Sequence, residues 1–393
     1  MTRVYLINLG FRLAGVERRF ANIWRALRAR GRVEPILVIP DVLARNLRGA
    51  GLLPPGSDGI IEVRVPTIMA GLVNLPVFRV GQVPRAVLQS RVMARQYRPI
   101  WRHVVQDAGA VLHFGMPCAA LTPPDLPAVF ECMDATQGSF RNSHYRRASR
   151  RAVIVHCQTE RIRQGLSRAY VGEATRWHLV AGRGYFADYQ VPPRRVRRVN
   201  QVAFVGRFVA IKNPLLFIDA LAIATHRGAD CRAVMLGEGP LQPEMETAIR
   251  RHGLQSRVEI RFDAKPLATL AESAVYVSLQ TGDNFGSQAL LEAMGAGCAV
   301  IATDVGETSR LVTPDVGTVV PPEAGAVAAA LVACVTAPDH TRARGDAAAH
   351  RALTDYTADA YAASLETLYS RAAALHAGGA PDGSDTSWEG AVC

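Results

Sequence analysis

Between Ala289 and Ala302 every residue except Glu292 is apolar or glycine. The first part has helical spacing and the second, Cys298–Thr303, reads as a strand, so a helix and the strand after it are both expected to be buried. Helices packed on the faces of a parallel sheet provide that environment. A carboxylate in such a setting needs a partner. Just before it, Asp283, Asn284, Phe285, Gly286 and Ser287 form a polar, glycine-containing turn into the helix, where free N–H groups and the helix dipole favour an anion. The pairing of an anion-friendly turn with a buried carboxylate reads as a ligand site.

The rest of the second half obeys the same alternation. Strands are expected at Val202–Gly206, Cys231–Gly237, Val258–Phe262, Ala274–Gln280, Cys298–Thr303 and Gly317–Val320. Helical segments fall between them at Pro214–His226, Leu241–His252 and Ser287–Ala296. The pattern predicts a doubly wound parallel sheet. The first half repeats it less regularly, with strands at Arg3–Leu9, Glu34–Ile39, Ile60–Val65, Ala110–Phe114, Ala128–Met133, Ala152–Cys157 and Trp177–Val180. Two Rossmann-like domains follow, over residues 1–190 and 191–350. Tyr185–Asn200, with Pro192, Pro193 and four arginines, reads as an exposed linker and hinge. Ala347–Leu375 reads as helical, the segment 351–376 is expected to pack back on the first domain, and 377–393 has the composition of a disordered tail.

Charge divides the chain. Residues 1–200 carry 31 arginines, no lysine and 12 acidic residues, a net +19, whereas the remainder is net −8. A basic half implies an acidic partner or an anionic surface, and no nucleic-acid-binding motif is present. The stretch Val83–Val105, with arginines among apolar residues, fits peripheral contact with an anionic membrane or a helix facing its own core. No apolar run approaches a membrane span, the N-terminus reads as a strand rather than a signal peptide, and the seven cysteines form no CxxC pair. A cytoplasmic protein is the expectation, with the inner face of the membrane as the surface that peripheral contact would involve.

Three constellations carry chemistry. Val202–Gly206 runs into Arg207 and Lys212, two cations spaced to clamp a diphosphate where a strand ends. Lys212 is one of only two lysines in the chain, the other being Lys265, and its ammonium offers a point charge with mobile donors. Gly237 and Gly239, after the next strand, permit close approach of backbone to ligand. Ser287 and Glu292 are five residues apart, about 7.5 Å along a helix, roughly the distance from a diphosphate to its ribose.

In this order Gly206-Arg207 with Lys212, Gly237-Glu-Gly-Pro240, Gly253-Leu-Gln-Ser-Arg-Val258, Phe285-Gly286 with Leu291-Glu-Ala-Met294, Gly297 and Ala302-Thr-Asp-Val-Gly306 resemble the retaining GT-B glycosyltransferases of family four. The resemblance covers about Val202–Pro322. It implies the GT-B fold, two Rossmann-like domains with parallel sheets facing across a cleft. It assigns Arg207 and Lys212 to the diphosphate of a nucleoside diphosphate sugar and Glu292 to the ribose. Gly206, Gly237, Phe262, Asp283, Asn284, Phe285, Gly286 and Ser287 join the expected nucleotide-sugar contacts. The family's first glutamate, eight positions before the second, is replaced here by Asn284, with Asp283 adjacent, so the sugar contact is altered. Leu13-Ala-Gly-Val-Glu-Arg-Arg-Phe20 resembles the family's loop after the first strand and places Gly15 near the reacting sugar. Where members carry a histidine after a middle strand this chain has Met133 and Asp134, so Asp134 is the expected catalytic replacement, with His113 a second candidate.

The resemblance implies retaining transfer to an acceptor hydroxyl, with the leaving phosphate taking the acceptor proton and preorganised cations stabilising it. No Asp-x-Asp motif is present, so no metal and no cofactor is expected. The acceptor is expected to be a glycan, a lipid-linked saccharide or a small molecule. A nucleotide-sugar epimerase or hydrolase of the same fold, and a catalytically silent binder of nucleotide sugar and polyanion, remain alternatives.

Overall fold

The computed structural model describes residues 1–8, 10, 15–56, 58–64, 104, 106–107, 109–115, 126–132, 153–169, 178–181, 198–263, 266–282 and 287–378. The chain divides into two units, one of Met1–Gly182 with Ala358–Cys393 and one of Arg183–Thr357. Each is built on a single parallel sheet. The stretch 83–103 and the tail from 379 onward lie outside the described residues.

The first unit orders its seven strands β3-β2-β1-β4-β5-β6-β7. They span Arg3–Ile7 (β1), Glu34–Pro40 (β2), Ile60–Val63 (β3), Val111–Phe114 (β4), Ala128–Cys132 (β5), Ile154–Cys157 (β6) and His178–Ala181 (β7). Helices Gly15–Arg30 (α1), Asp41–Gly49 (α2) and Glu160–Ala169 (α3) connect them, and the C-terminal helix Ala358–His376 returns to pack on α1, β4 and β5. Every residue of β4, β5 and β6 is buried, as a strand covered on both faces requires. Each carries one polar residue inside: His113, Glu131 and His156.

The second unit orders its strands β10-β9-β8-β11-β12-β13. Arg198–Val205 (β8), Arg232–Leu236 (β9) and Val258–Arg261 (β10) run one way from the centre. Ser273–Ser278 (β11), Ala299–Thr303 (β12) and Gly317–Val320 (β13) run the other. The helices are Pro214–His226 (α4), Gln242–Arg251 (α5), Leu267–Glu272 (α6), Gln288–Gly295 (α7), Thr308–Leu311 (α8), Ala324–Thr336 (α9) and Pro338–Asp355 (α10). Alternate residues of β11 feed two cores. Val275 and Val277 pack with Phe204, Phe217 and Leu331, while Tyr276 packs with Leu290, Met294 and Leu311. Among the described residues no helix is long and apolar enough to cross a membrane.

Two expectations from the sequence need correction. Arg198–Asn200, read as the end of a linker, begin β8: Arg198 pairs with Ser273, and Asn200 donates to Asp230 at 3.0 Å. The polar composition that suggested a linker is satisfied at the strand's exposed start. Ala347–Leu375 is not one helix but parts of two, broken at Tyr356 and Thr357, where Tyr356 turns its ring into the core of the second unit.

Candidate functional site

In the second sheet β8 and β11 are neighbours, yet the chain leaves them in opposite directions, β8 toward β9 and β11 toward β12. Their carboxyl ends therefore flank a topological switch point, where open α/β sheets leave a crevice for ligands. The residues expected at the site from the constellation around Gly206 come together there.

Gly206 follows β8 with φ 155, and Gly237 follows β9 with φ 158. The Gly206 N–H donates to the Leu236 carbonyl at 3.0 Å, and a Cβ on Gly237 would collide with the Gly206 carbonyl. A Cβ on Gly239 would likewise meet the Phe208 backbone. The two turns can lie back to back only because these positions are glycine. Phe208 pins the first turn: its ring is buried against Phe204, its N–H donates to Glu238 at 2.9 Å, and its carbonyl accepts from Leu241 at 3.1 Å. Arg207 is held at the backbone on both sides while its guanidinium is exposed, with no ion pair or side-chain hydrogen bond among the described residues.

Lys212 ends a one-turn 3-10 segment, Ala210–Lys212. Asn213 then takes φ 53 and Pro214 starts α4. The lysine is half-buried, and its Nζ donates to Gln280 Oε1 at 2.6 Å. Burial pulls the amine's pKa down from 10.5 to about 8, because the interior disfavours the charged form. Gln280 itself lies just past β11, and the neighbouring Thr281 N–H donates to the Ile211 carbonyl at 3.0 Å. Thr303, the last residue of β12, donates its hydroxyl to the Gln280 carbonyl at 2.6 Å.

Glu292 is 2% exposed within α7, an almost wholly buried helix. Gln288 Nε2 donates to its Oε1 at 3.1 Å, one turn earlier. Tyr276 of β11 lies close enough that the carboxylate helps burial push the phenol well above its ordinary range. The Tyr276 hydroxyl in turn donates to the Val205 carbonyl at 3.5 Å, at the end of β8. Glu292 thus sits beside the switch-point strands. Ser287 is the N-cap of α7, without a side-chain capping bond. Phe262, just past β10, is 66% exposed, an aromatic ring presented at a strand end. Asp283, Asn284, Phe285, Gly286 and Asp134 lie outside the described residues.

In the first unit Gly15 starts α1. His113 is fully buried and shares a 2.6 Å hydrogen bond between its Nδ1 and the Tyr369 hydroxyl, so it faces the C-terminal helix. It belongs to a polar cluster around Glu131. Tyr361 donates to Glu131 Oε1 at 2.8 Å, and Arg19 lies 3.5 Å from the same oxygen while donating to the Tyr361 hydroxyl. His113 Nε2 and His156 Nδ1 stand 3.5 and 3.8 Å from that oxygen. Burial pushes the Glu131 carboxyl up, but Arg19 and the histidines outweigh it and hold it well below the usual carboxylate range. Of this cluster the sequence singled out His113 alone; Glu131, His156, Arg19 and Tyr361 were missed, as were Gln280, Tyr276 and Thr303. A carboxylate in the apolar run Ala128–Cys132 was the available signal, the same one that marks Glu292.

Residues 199–337 match the family model described as Glycosyl transferases group 1. The alpha-D-kanosaminyltransferase of Streptomyces kanamyceticus is 30% identical over 190 residues, 45% of this chain and 49% of that protein. The N-acetylgalactosamine-N,N'-diacetylbacillosaminyl-diphospho-undecaprenol 4-alpha-N-acetylgalactosaminyltransferase of Campylobacter jejuni is 33% identical over 101 residues, 25% of this chain and 27% of that protein. The chain thus spans about half the length of the first of these relatives and about a quarter of the second. Among solved structures, Anabaena HepE in complex with UDP and glucose superposes with a TM-score of 0.70 at 18% identity, covering 94% of this chain and all of that one. The chain has the two-domain α/β GT-B fold, and its second unit resembles the glycosyltransferases of family four.

Proposed function

We propose that this protein is a retaining, metal-independent glycosyltransferase that moves a sugar from a nucleoside diphosphate donor to an acceptor hydroxyl. The observation that carries the proposal is the meeting, at the switch point of a glycosyltransferase-like unit, of Gly206, an exposed Arg207 and a half-buried Lys212. Two cations beside a close-packed glycine turn suit a diphosphate, and partial burial strengthens the field of Lys212. Glu292 accepts from the ribose hydroxyls, and Phe262 offers its face to the base. Contact of Asp283–Gly286 with the donor, and action of Gly15 and Asp134 on the reacting sugar, are roles that the family resemblance alone supports.

During transfer the bond between the sugar's anomeric carbon and the phosphate oxygen breaks and a bond to the acceptor oxygen forms on the same face. The acceptor proton passes to the departing phosphate. Charge builds on that phosphate as it leaves, and Arg207 and Lys212 are already in place to meet it. No protein nucleophile enters. UDP in the HepE structure makes uridine the first base to test, and the undecaprenol-linked substrate named for the Campylobacter relative supports a lipid-linked acceptor. The basic first half would favour such an acceptor at an anionic membrane surface.

The test is a panel of uridine, guanosine and adenosine diphosphate sugars, scored for nucleotide release and for the anomeric configuration of the new glycoside, with lipid-linked and soluble acceptors. One donor giving a retained linkage, with Lys212→Met and Arg207→Ala each slowed about 100-fold or more, is the expected result. Full rates in both variants would reject the assignment, and an inverted linkage would reject the mechanism.

A further inference from the structure

We propose that Gln280 is a positioning residue that aims the Lys212 ammonium into the switch-point crevice while leaving its charge unneutralised. The inference rests on the assignment of Lys212 to the donor diphosphate and deepens it.

Lys212 has a flexible four-carbon stem and sits on a single 3-10 turn whose other residues, Ala210 and Ile211, are exposed. Packing on that turn does not fix where the amine points. Among the described residues its hydrogen-bond partner is Gln280 Oε1, at 2.6 Å, from the segment just past β11 on the far side of the switch point. Gln280 is 7% exposed and is itself secured. Its carbonyl accepts the Thr303 hydroxyl at 2.6 Å, and the next residue, Thr281, donates its N–H to the Ile211 carbonyl at 3.0 Å. A hydrogen-bonded chain therefore runs from β12 through the end of β11 to the turn that carries Lys212.

The identity of the acceptor matters more than its presence. An amide oxygen takes one of the ammonium's three donors and leaves two for an anion. A carboxylate at the same place would also hold the amine, but it would cancel the charge on which diphosphate binding depends. Of the charged groups on neighbouring segments, Arg207 follows β8, and Asp283 lies outside the described residues. Burial alone accounts for the lowered basicity of Lys212.

The chain's two lysines make this directly measurable, because Lys265 serves as an internal reference. The full-length protein and its Gln280→Glu and Gln280→Met variants are labelled with acetic anhydride across pH 6–11, and modification at each lysine is quantified by mass spectrometry. Wild-type Lys212 is expected to titrate near pH 8. Gln280→Glu should raise that midpoint by about one pH unit or more, through an opposite charge within hydrogen-bonding reach. It should also weaken uridine or guanosine diphosphate binding at pH 7 about tenfold. Gln280→Met should lower the midpoint and weaken binding at pH 8 more than at pH 6.5. An unchanged Lys212 midpoint in both variants overturns the positioning role. Shifted midpoints with no protection of Lys212 by either nucleotide would leave the Gln280 contact standing and sink the donor assignment.

Discussion

Replacing His156 should change how the first unit responds to acid. His156 pairs in register with Glu131 across β5 and β6, is 6% exposed, and stacks its ring on Tyr361 at 6.3 Å between centroids. Its Nδ1 has no hydrogen-bond partner among the described residues. Burial lowers its pKa from 6.5 to about 4; Glu131 opposes that shift, while His113 and Arg19 reinforce it. The folded state thus holds a neutral ring in a pH range where the unfolded chain binds a proton. Stability falls wherever the unfolded state binds more protons and the pH drops, so the loss begins near pH 6.5 and is complete near pH 4. At 1.36 kcal/mol per pH unit the full span is worth about 3 kcal/mol, a sizeable part of the 5–15 kcal/mol that holds a domain together. Urea unfolding at pH 7, 6, 5 and 4.5, followed by tryptophan fluorescence, reads this unit selectively, since Trp24, Trp101, Trp177 and Trp388 all belong to it. Wild type should lose most of that 3 kcal/mol across the series, and His156→Phe should lose markedly less. Parallel profiles for the two proteins would refute the reasoning, because the proton uptake would then lie elsewhere.

Two further outcomes concern the second unit. Gly237→Ala, forced to place a Cβ against the Gly206 carbonyl at φ 158, should lower stability by about 1–3 kcal/mol in chemical denaturation, whereas Gly325→Ala, in open space on α9, should be neutral or slightly stabilising. Glu292→Gln keeps the shape and an acceptor for Gln288, so the fold should survive. Calorimetry should show about a 10- to 100-fold weaker nucleoside diphosphate, with loss of discrimination between ribose and deoxyribose forms.

How much of this was legible in the sequence follows from where each signal lives. The alternation of apolar strands with helical segments is local, and it placed α4 at Pro214–His226 and β13 at Gly317–Val320 without error. Gly206, Arg207, Lys212 and Glu292 were legible because each stands out against its immediate neighbours. Gln280 was not, since its role depends on Lys212, 68 residues earlier, and on Thr303 in another strand. The Glu131 cluster draws Tyr361 from 230 residues away, a distance over which no spacing rule operates. The start of β8 was misread because arginine and asparagine look the same at a solvated strand end as in a linker.

The central claim is that the second unit holds a nucleoside diphosphate at its switch point. The most direct measurement is backbone amide exchange of the full chain with and without uridine, guanosine or adenosine diphosphate, repeated for Lys212→Met. One nucleotide should slow exchange in 206–213, 237–241 and 280–306, and the variant should lose that protection. Binding with no change in these segments, or with protection confined to the first unit, would contradict it.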